Sequence, residues 1–371
     1  MTRRLTIEMK SGRGWPLSAL LLCLSLTLVA QSRNAGESPG SIWPERGDYI
    51  GSKKCALCHP QQAHNYAASQ MFHAMESPQS CDLLEQNPRM TWREGVYQYL
   101  IQKRVGGFQY SVTDGTAKAE TPLRFALGHG QSQTYVFERD GVFYESRVSY
   151  YKKLDGLALT LGAPSHTPAD VQAALGRPLD ETDARECFGC HSTGARRGNK
   201  LQFDSFENGV QCEACHGPGA VHAASIVDGR PKPGSIRNGK SLTAAQSIAL
   251  CGSCHRTFNM VLARGLEGMK TVRFQPFRLV LSKCYAPGEP RIACTACHEP
   301  HEALVIGDRA YDSKCKACHN AEKGTSRQKQ CPVAQADCTS CHMPRYELPG
   351  AHQVFADHRI RISRPGDPYP E

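Results

Sequence analysis

Two thiols three residues apart, followed at once by an imidazole, recur seven times in this 371-residue chain. The first four copies are Cys55, Cys58 and His59; Cys187, Cys190 and His191; Cys212, Cys215 and His216; and Cys251, Cys254 and His255. The last three are Cys294, Cys297 and His298; Cys315, Cys318 and His319; and Cys338, Cys341 and His342. In each copy the two thiols can add to the vinyl groups of one haem, and the adjacent imidazole then lies under the iron as its proximal ligand. Zinc knuckles would pair Cys-x-x-Cys units around tetrahedral sites without needing a His after every second Cys. A disulfide framework would not impose that His either. A thioredoxin-like redox motif occurs once beside a βαβ pattern, not seven times. The chemistry expected is covalent haem c, seven groups in all.

An electron-transfer haem of low potential takes a second strong axial ligand, and imidazole is the natural one. Eight of the fifteen histidines lie outside the motifs: His64, His73, His129, His166, His222, His301, His352 and His358. His222 follows His216 by six residues and His301 follows His298 by three, too near to turn back onto their own irons. Each is expected to serve a neighbouring haem. His73, His129, His352 and His358 complete the expected distal set, with His64 and His166 the weaker candidates. Methionine ligation would raise the potential, and Met71, Met75, Met260, Met269 and Met343 are the alternatives. Cys81, Cys284 and Cys331 remain outside the motifs; Cys284 with Cys331 is one possible disulfide, and any pairing leaves one thiol over.

The elements that must hold these groups are unevenly spread. Residues 1–30 read as an export signal, with Arg3, Arg4, Lys10 and Arg13 before an apolar stretch from Pro16 to Ala30 that is too short for a convincing membrane span. A mature chain starting near Gln31 is expected in the periplasm or outside the cell, without a stable membrane span. An N-terminal part, 31–180, holds the first motif, and a C-terminal hexahaem region, 181–371, holds the rest. In the long gap Thr91–Ile101 partly alternates, Gly106-Gly107 breaks the pattern, and Asp140-Gly141 marks a tight turn between two further runs. Two hairpins forming a small antiparallel layer are expected there. The fold class expected is a mainly irregular and α-helical multihaem fold with that small β-rich segment, the haems making much of the core. Ala244–Leu250 reads as a helix capped by Ser241 or Thr243, and the proline-rich tail from Ser363 as frayed.

The formal charge is +9. That excess suits compensation of haem propionates, roughly −14 for seven haems, better than a nucleic-acid partner.

Tyr49-Ile50-Gly51-Ser52-Lys53-Lys54-Cys55, Cys58-His59-Pro60, Ser69 and His73-Ala74 together resemble the opening of the cytochrome c-552/4 family. Cys215-His216-Gly217-Pro218-Gly219 with His222, Cys297-His298-Glu299-Pro300-His301, Cys341-His342-Met343-Pro344 and Asp357-His358-Arg359-Ile360 are similar to its later elements. The resemblance implies His73, His222, His301 and one of the last two histidines as distal ligands, and stacked and perpendicular haem pairs forming a conduit. The family's relatives include hydroxylamine oxidoreductase and multihaem nitrite reductases, although no Cys-x-x-Cys-Lys motif of the pentahaem nitrite reductase kind occurs here. Three functions follow as expectations. The first is electron transfer between redox partner proteins. The second is oxidoreduction of a small nitrogen or sulfur compound at one five-coordinate haem, and the third is assembly into an oligomer or extracellular filament.

Overall fold

From Met75 to Pro178 the chain is organised by one antiparallel sheet. A computed structural model describes residues 48–285, 290–307, 309–319, 331–364 and 366–370; the expected leader and the start near Gln31 lie outside them. The strands are β1 (Met75–Glu76), β2 (Arg89–Glu94), β3 (Tyr97–Arg104), β4 (Gly107–Thr113), β5 (Lys118–Leu127), β6 (Ser132–Arg139), β7 (Val142–Tyr151), β8 (Gly156–Leu159) and β9 (Gly176–Pro178). Strands β2 to β8 pair in sequence order, with β1 added beside β5 and β9 beside β7.

Two devices curl this meander. Strand β5 changes partners: Thr113↔Lys118 to Gln109↔Pro122 join it to β4, and Leu123↔Phe137 to Leu127↔Thr134 join it to β6. Register shifts between Leu123 and Phe125 and between Thr134 and Val136 then bend the strands and increase their twist. As a result β2 comes alongside β8, and the sheet nearly closes on itself.

Tight turns fix the register. Arg139 pairs with Val142 across Asp140-Gly141, whose φ angles of 50° and 76° are both positive. That backbone matches the right-handed twist of the flanking strands.

Each face of the sheet has its own cover. Tyr99, Ile101, Phe108, Tyr110, Val112 and Phe137 fill the interior, closed by Leu84 and by the short helix Val171–Leu175. On the other side Met75, Phe125, Leu127 and Val136 meet Ala184 and Phe188 of the helix Glu181–His191. This explains why β5 alternates in burial up to Arg124 and is then buried continuously over Phe125–Leu127. A strand covered on both sides has no solvent face to mark with polar residues.

The expectation of a mainly irregular and helical fold with a small β-rich segment is therefore wrong. The sheet is the dominant element, with an apolar core supplied by its own side chains. Thr91–Ile101, read as one half-alternating run, is two strands joined at Glu94↔Tyr97, with Gly95 at φ 57°.

Beyond residue 181 the texture changes to short helices and small hairpins. Apolar clusters there are small: Val261, Phe274 and Phe277 form one, and Val272, Leu348 and Ala351 another. Local signals do more of the work. Thr243 and Gln246 make a reciprocal capping box at the start of the helix Ala244–His255. Replacing Thr243 with Ala should cost about 1 kcal/mol, read as a lower midpoint in thermal unfolding of the haem-loaded protein with its visible spectrum unchanged. An unaltered midpoint would remove the cap from this account. The tail is not loose: Tyr369 packs on Tyr346, and the Pro370 carbonyl accepts from Arg278. Among the described residues no helix is long and apolar enough to cross a membrane.

Candidate functional site: the seven motif helices

Every motif lies on or beside a short helical turn. In the second and fourth, the thiols and imidazole occupy the last turns of Glu181–His191 and Ala244–His255. The third, fifth, sixth and seventh lie on Cys212–His216, Cys294–Cys297, Asp312–His319 and Cys338–His342. The first spans Ser52–Ala56 and the start of Pro60–Tyr66, with His59 as the N-cap residue. Helical spacing puts the two cysteines of a motif on one face, three residues apart, with the imidazole close to the first of them.

Sequence order is not spatial order. The first motif helix packs on the third, and the fourth touches both the second and the fifth; the sixth packs on the seventh. Thiols follow the same map, with Cys55 beside Cys212, Cys190 beside Cys254, Cys251 beside Cys294, and Cys315 beside Cys338. The half-buried pair Cys315 and Cys318 of the sixth motif also lies near Cys297 of the fifth, whose pKa is raised first by burial and then by these neighbouring thiols. Burial in the second motif pushes the Cys187 thiol up to about 12.

Carboxylates join these pairs. Glu213, inside the third motif and 1% exposed, accepts the backbone N–H groups of Ile50 (3.0 Å), Gly51 (2.8 Å) and Gly219 (2.7 Å). Glu207 accepts the Ser52 N–H at 3.1 Å and its hydroxyl at 3.2 Å. The first helix is thus capped at its positive end by two acids from beyond the sheet. Asp312 repeats the arrangement, accepting the Asp337 and Cys338 N–H groups at 2.9 Å each and so capping the seventh motif helix from the sixth. Sequence reasoning missed these three acids; an acidic residue within or beside a haem-attachment motif was the available signal. A salt bridge from Arg256 to Glu186 (2.8 Å) links the fourth motif helix to the second. Gly209 completes the join between the first and third motifs: a Cβ there would lie 1.9 Å from the Phe72 carbonyl oxygen, and its φ is 76°.

Imidazoles from separate parts of the chain face one another. His216 and His301 have ring centroids 6.0 Å apart and planes 11° apart. His298 and His358 are 6.3 Å apart, with planes at 33°. A metal bound to nitrogen at about 2 Å on each side requires imidazole centroids roughly 6 Å apart, and both pairs lie near that separation.

Hydrogen bonds at Nδ1 leave Nε2 for the metal, the usual arrangement for a ligating histidine. His216 Nδ1 meets the Arg237 carbonyl at 2.8 Å and His301 Nδ1 meets Glu299 at 3.0 Å. His358 Nδ1 meets the Ala356 carbonyl at 3.0 Å, and His298 Nδ1 the Tyr311 hydroxyl at 3.3 Å. His191 and His342 are held in the same way by the carbonyls of Ala74 (2.8 Å) and Arg361 (2.9 Å). Burial lowers His191, His216, His255 and His298 below the ordinary imidazole value, and takes His358 down to about 4. These rings are neutral near pH 7, the state a metal ligand requires.

The other candidates are placed differently. His73 and His129 stack at 4.6 Å, too close to hold an iron between them, and share Glu76, which lies 2.8 Å from His73 Nδ1 and 3.8 Å from His129 Nδ1. His73 Nε2 also meets the Ala67 carbonyl at 2.9 Å. His222 lies on Ala220–Val227, a helix with no buried residue. His352 packs edge-on against Tyr151 at 4.9 Å. His64 and His166 are exposed, as are the motif histidines His59 and His319. Cys81 is fully buried in the sheet core with its thiol on Gln133, whereas Cys284 and Cys331 are exposed and unpaired as thiols.

The motif thiols do not assemble as a zinc site. Among the described residues, the one group of three or more candidate ligands within 4.8 Å is His73, Glu76 and His129, which contains no cysteine. Paired thiols on helical faces, neutral anchored imidazoles and opposed rings fit haem c.

Comparison with known proteins agrees. A family model described as cytochrome c554 and c-prime matches residues 159–217, the stretch with the second and third motifs. The protein described as multiheme cytochrome MtrA, from Shewanella baltica (strain OS185), is 27% identical over 198 residues, covering 48% of this chain and 52% of the relative. The chain thus spans about half the length of that curated relative. No solved structure matches significantly. With the motifs, these matches support a multihaem c-type cytochrome with covalently bound haem c.

Proposed function

We propose that this cytochrome binds seven haem c groups, one per motif, and passes electrons between redox partner proteins. The observation that carries the proposal is the two opposed imidazole pairs, His216 with His301 and His298 with His358, at 6.0 and 6.3 Å. Two strong imidazole ligands close an iron to exogenous molecules, which favours an electron carrier over an enzyme with an open coordination position.

Bound haem supplies a one-electron iron centre; the chain supplies its position and surroundings. His59, His191, His216, His255, His298, His319 and His342 are the proximal ligands in this reading. His301 serves the third motif and His358 the fifth. His73, His129, His222 and His352 are distal candidates for the rest, with Glu76 orienting whichever of His73 and His129 is used. Contacts from the first motif to the third, from the fourth to the second and fifth, and from the sixth to the seventh support near contact between haems. A leader at residues 1–30, as the sequence reads, supports a periplasmic or extracellular location for the mature protein. The sheet-bearing part (31–180) acts as scaffold for the hexahaem region (181–371).

Electron paramagnetic resonance of the oxidised protein tests this reading. Low-spin ferric signals throughout are expected, with no carbon monoxide binding after reduction and no turnover of nitrite or hydroxylamine. A high-spin haem that binds carbon monoxide and turns over either substrate would replace the carrier assignment with an enzymatic one.

A further inference from the structure

We propose that the buried charged cluster Arg278–Asp357–Arg361 is a positioning device acting on two axial histidines at once, His358 facing the fifth motif and His342 of the seventh. The proposal rests on the haem reading above and assigns these side chains a role in it.

Arg278 and Asp357 are both 0% exposed. The Asp357 carboxylate receives the Arg278 guanidinium as a two-pronged fork, from Nε at 2.8 Å and Nη2 at 3.0 Å. It also accepts from Arg361 Nη1 at 2.6 Å and from the Arg359 N–H at 3.0 Å. The spare donors of Arg278 reach the Pro370 carbonyl at 3.2 Å, and its guanidinium carbon lies 4.6 Å from the centre of the Tyr369 ring. Every strong polar group in the cluster is matched.

Burying the Arg278 guanidinium against one carboxylate, with the partly buried Arg361 beside it, is a poor route to stability alone, because desolvation consumes most of the attraction and apolar residues often serve as well. What the cluster supplies is fixed geometry, and the neighbouring residues are the ones whose geometry matters. Asp357 immediately precedes His358, whose carbonyl accepts the Ser282 hydroxyl at 3.0 Å. That same hydroxyl oxygen accepts the Ile360 N–H at 2.8 Å. On the other side, the Arg361 carbonyl lies 2.9 Å from His342 Nδ1, and the Arg361 N–H donates to the His342 carbonyl at 3.1 Å. The Asp357 N–H, in turn, donates to the carbonyl of Pro344, two residues after His342, at 2.9 Å. Residues 357–361 therefore carry the anchoring carboxylate, one axial ring and the carbonyl that orients another. Since the partner at Nδ1 sets ring orientation and ligand basicity, release of the anchor must reach both rings.

The test uses Asp357→Asn and Arg278→Lys in the full haem-loaded protein. Cys294, Cys297, Cys338 and Cys341 are untouched, so intact mass should still show every haem attached. Two sets of low-spin resonances should shift together or become high-spin, and two redox steps should move in a potentiometric titration while the others stay. Those two are identified as the ones displaced separately by His358→Met and His342→Met. Arg278→Lys keeps the charge but not the fork, so it should reproduce the change rather than rescue it. A lower unfolding midpoint with unchanged resonances and potentials would overturn the proposal, as would a response from one haem alone. Should both variants fail to fold, deletion of residues 367–371 removes the Pro370 carbonyl and the Tyr369 ring with the cluster's ion pairs intact. A smaller shift in the same two signals then supports the proposal, and no shift overturns it. Loss of haem from the unaltered protein would instead defeat the haem reading itself, a separate outcome.

Discussion

Intact-mass analysis of the purified protein should give seven haem additions on one chain, with the pyridine haemochrome spectrum agreeing on number and on thioether linkage. The expectation comes from the seven Cys-x-x-Cys-His copies and from the helical turns that carry them. It has a sharp internal control. Cys212→Ala with Cys215→Ala should remove a single addition and leave the others, because each haem is held by its own two thioethers. The Glu213 hydrogen bonds to Ile50 and Gly51 remain available in that variant. Fewer than six additions, or zinc in place of iron, would sink the cofactor assignment.

Loss of the Glu213 carboxylate should be the most damaging single change outside the haem-bonding residues. Glu213→Ala leaves the N–H groups of Ile50, Gly51 and Gly219 without their acceptor in a buried place. Orphaning buried donors costs about 1–3 kcal/mol each, and bonds to a charged acceptor lie at the upper end. A total near 4 kcal/mol is expected after partial relief by water, a large share of a stability of roughly 5–15 kcal/mol. Glu213→Gln keeps the volume and one acceptor oxygen, so about half the loss should return. Denaturant unfolding of the haem-loaded variants measures both. A cost below about 1 kcal/mol for the alanine variant would show that the first and third motifs are held together by something other than this carboxylate.

The Cys-x-x-Cys-His copies were legible because their spacing is local to the chain, whatever the fold. Pairing of distal histidines is a through-space property and was not legible. Nothing local marks that His301, three residues beyond His298, faces His216 instead. The sheet was under-read for physical reasons too. Pro122 interrupts what would read as a strand, yet it sits where β5 leaves β4 for β6, and a missing N–H is tolerated at such a break in pairing. Continuous burial at Phe125–Leu127 erased the alternation that marks a one-sided strand. Asp140-Gly141 was readable because its turn chemistry is local. The proline-rich tail looked free because the partner that holds it, a buried guanidinium on Gln275–Val280, lies about ninety residues earlier.

The caps on the first motif helix come from Glu207 and Glu213, 155 and 162 residues downstream of the N–H groups they receive. During synthesis the first motif therefore emerges long before its acceptors exist, and the entire sheet must be made in between. Nothing shorter than the chain through Glu213 can satisfy Ile50, Gly51 and Ser52, so the first motif helix reaches its final seat only after that stretch exists. The sheet between is therefore the stretch of chain that must be in place before the first motif helix can be seated on its acceptors.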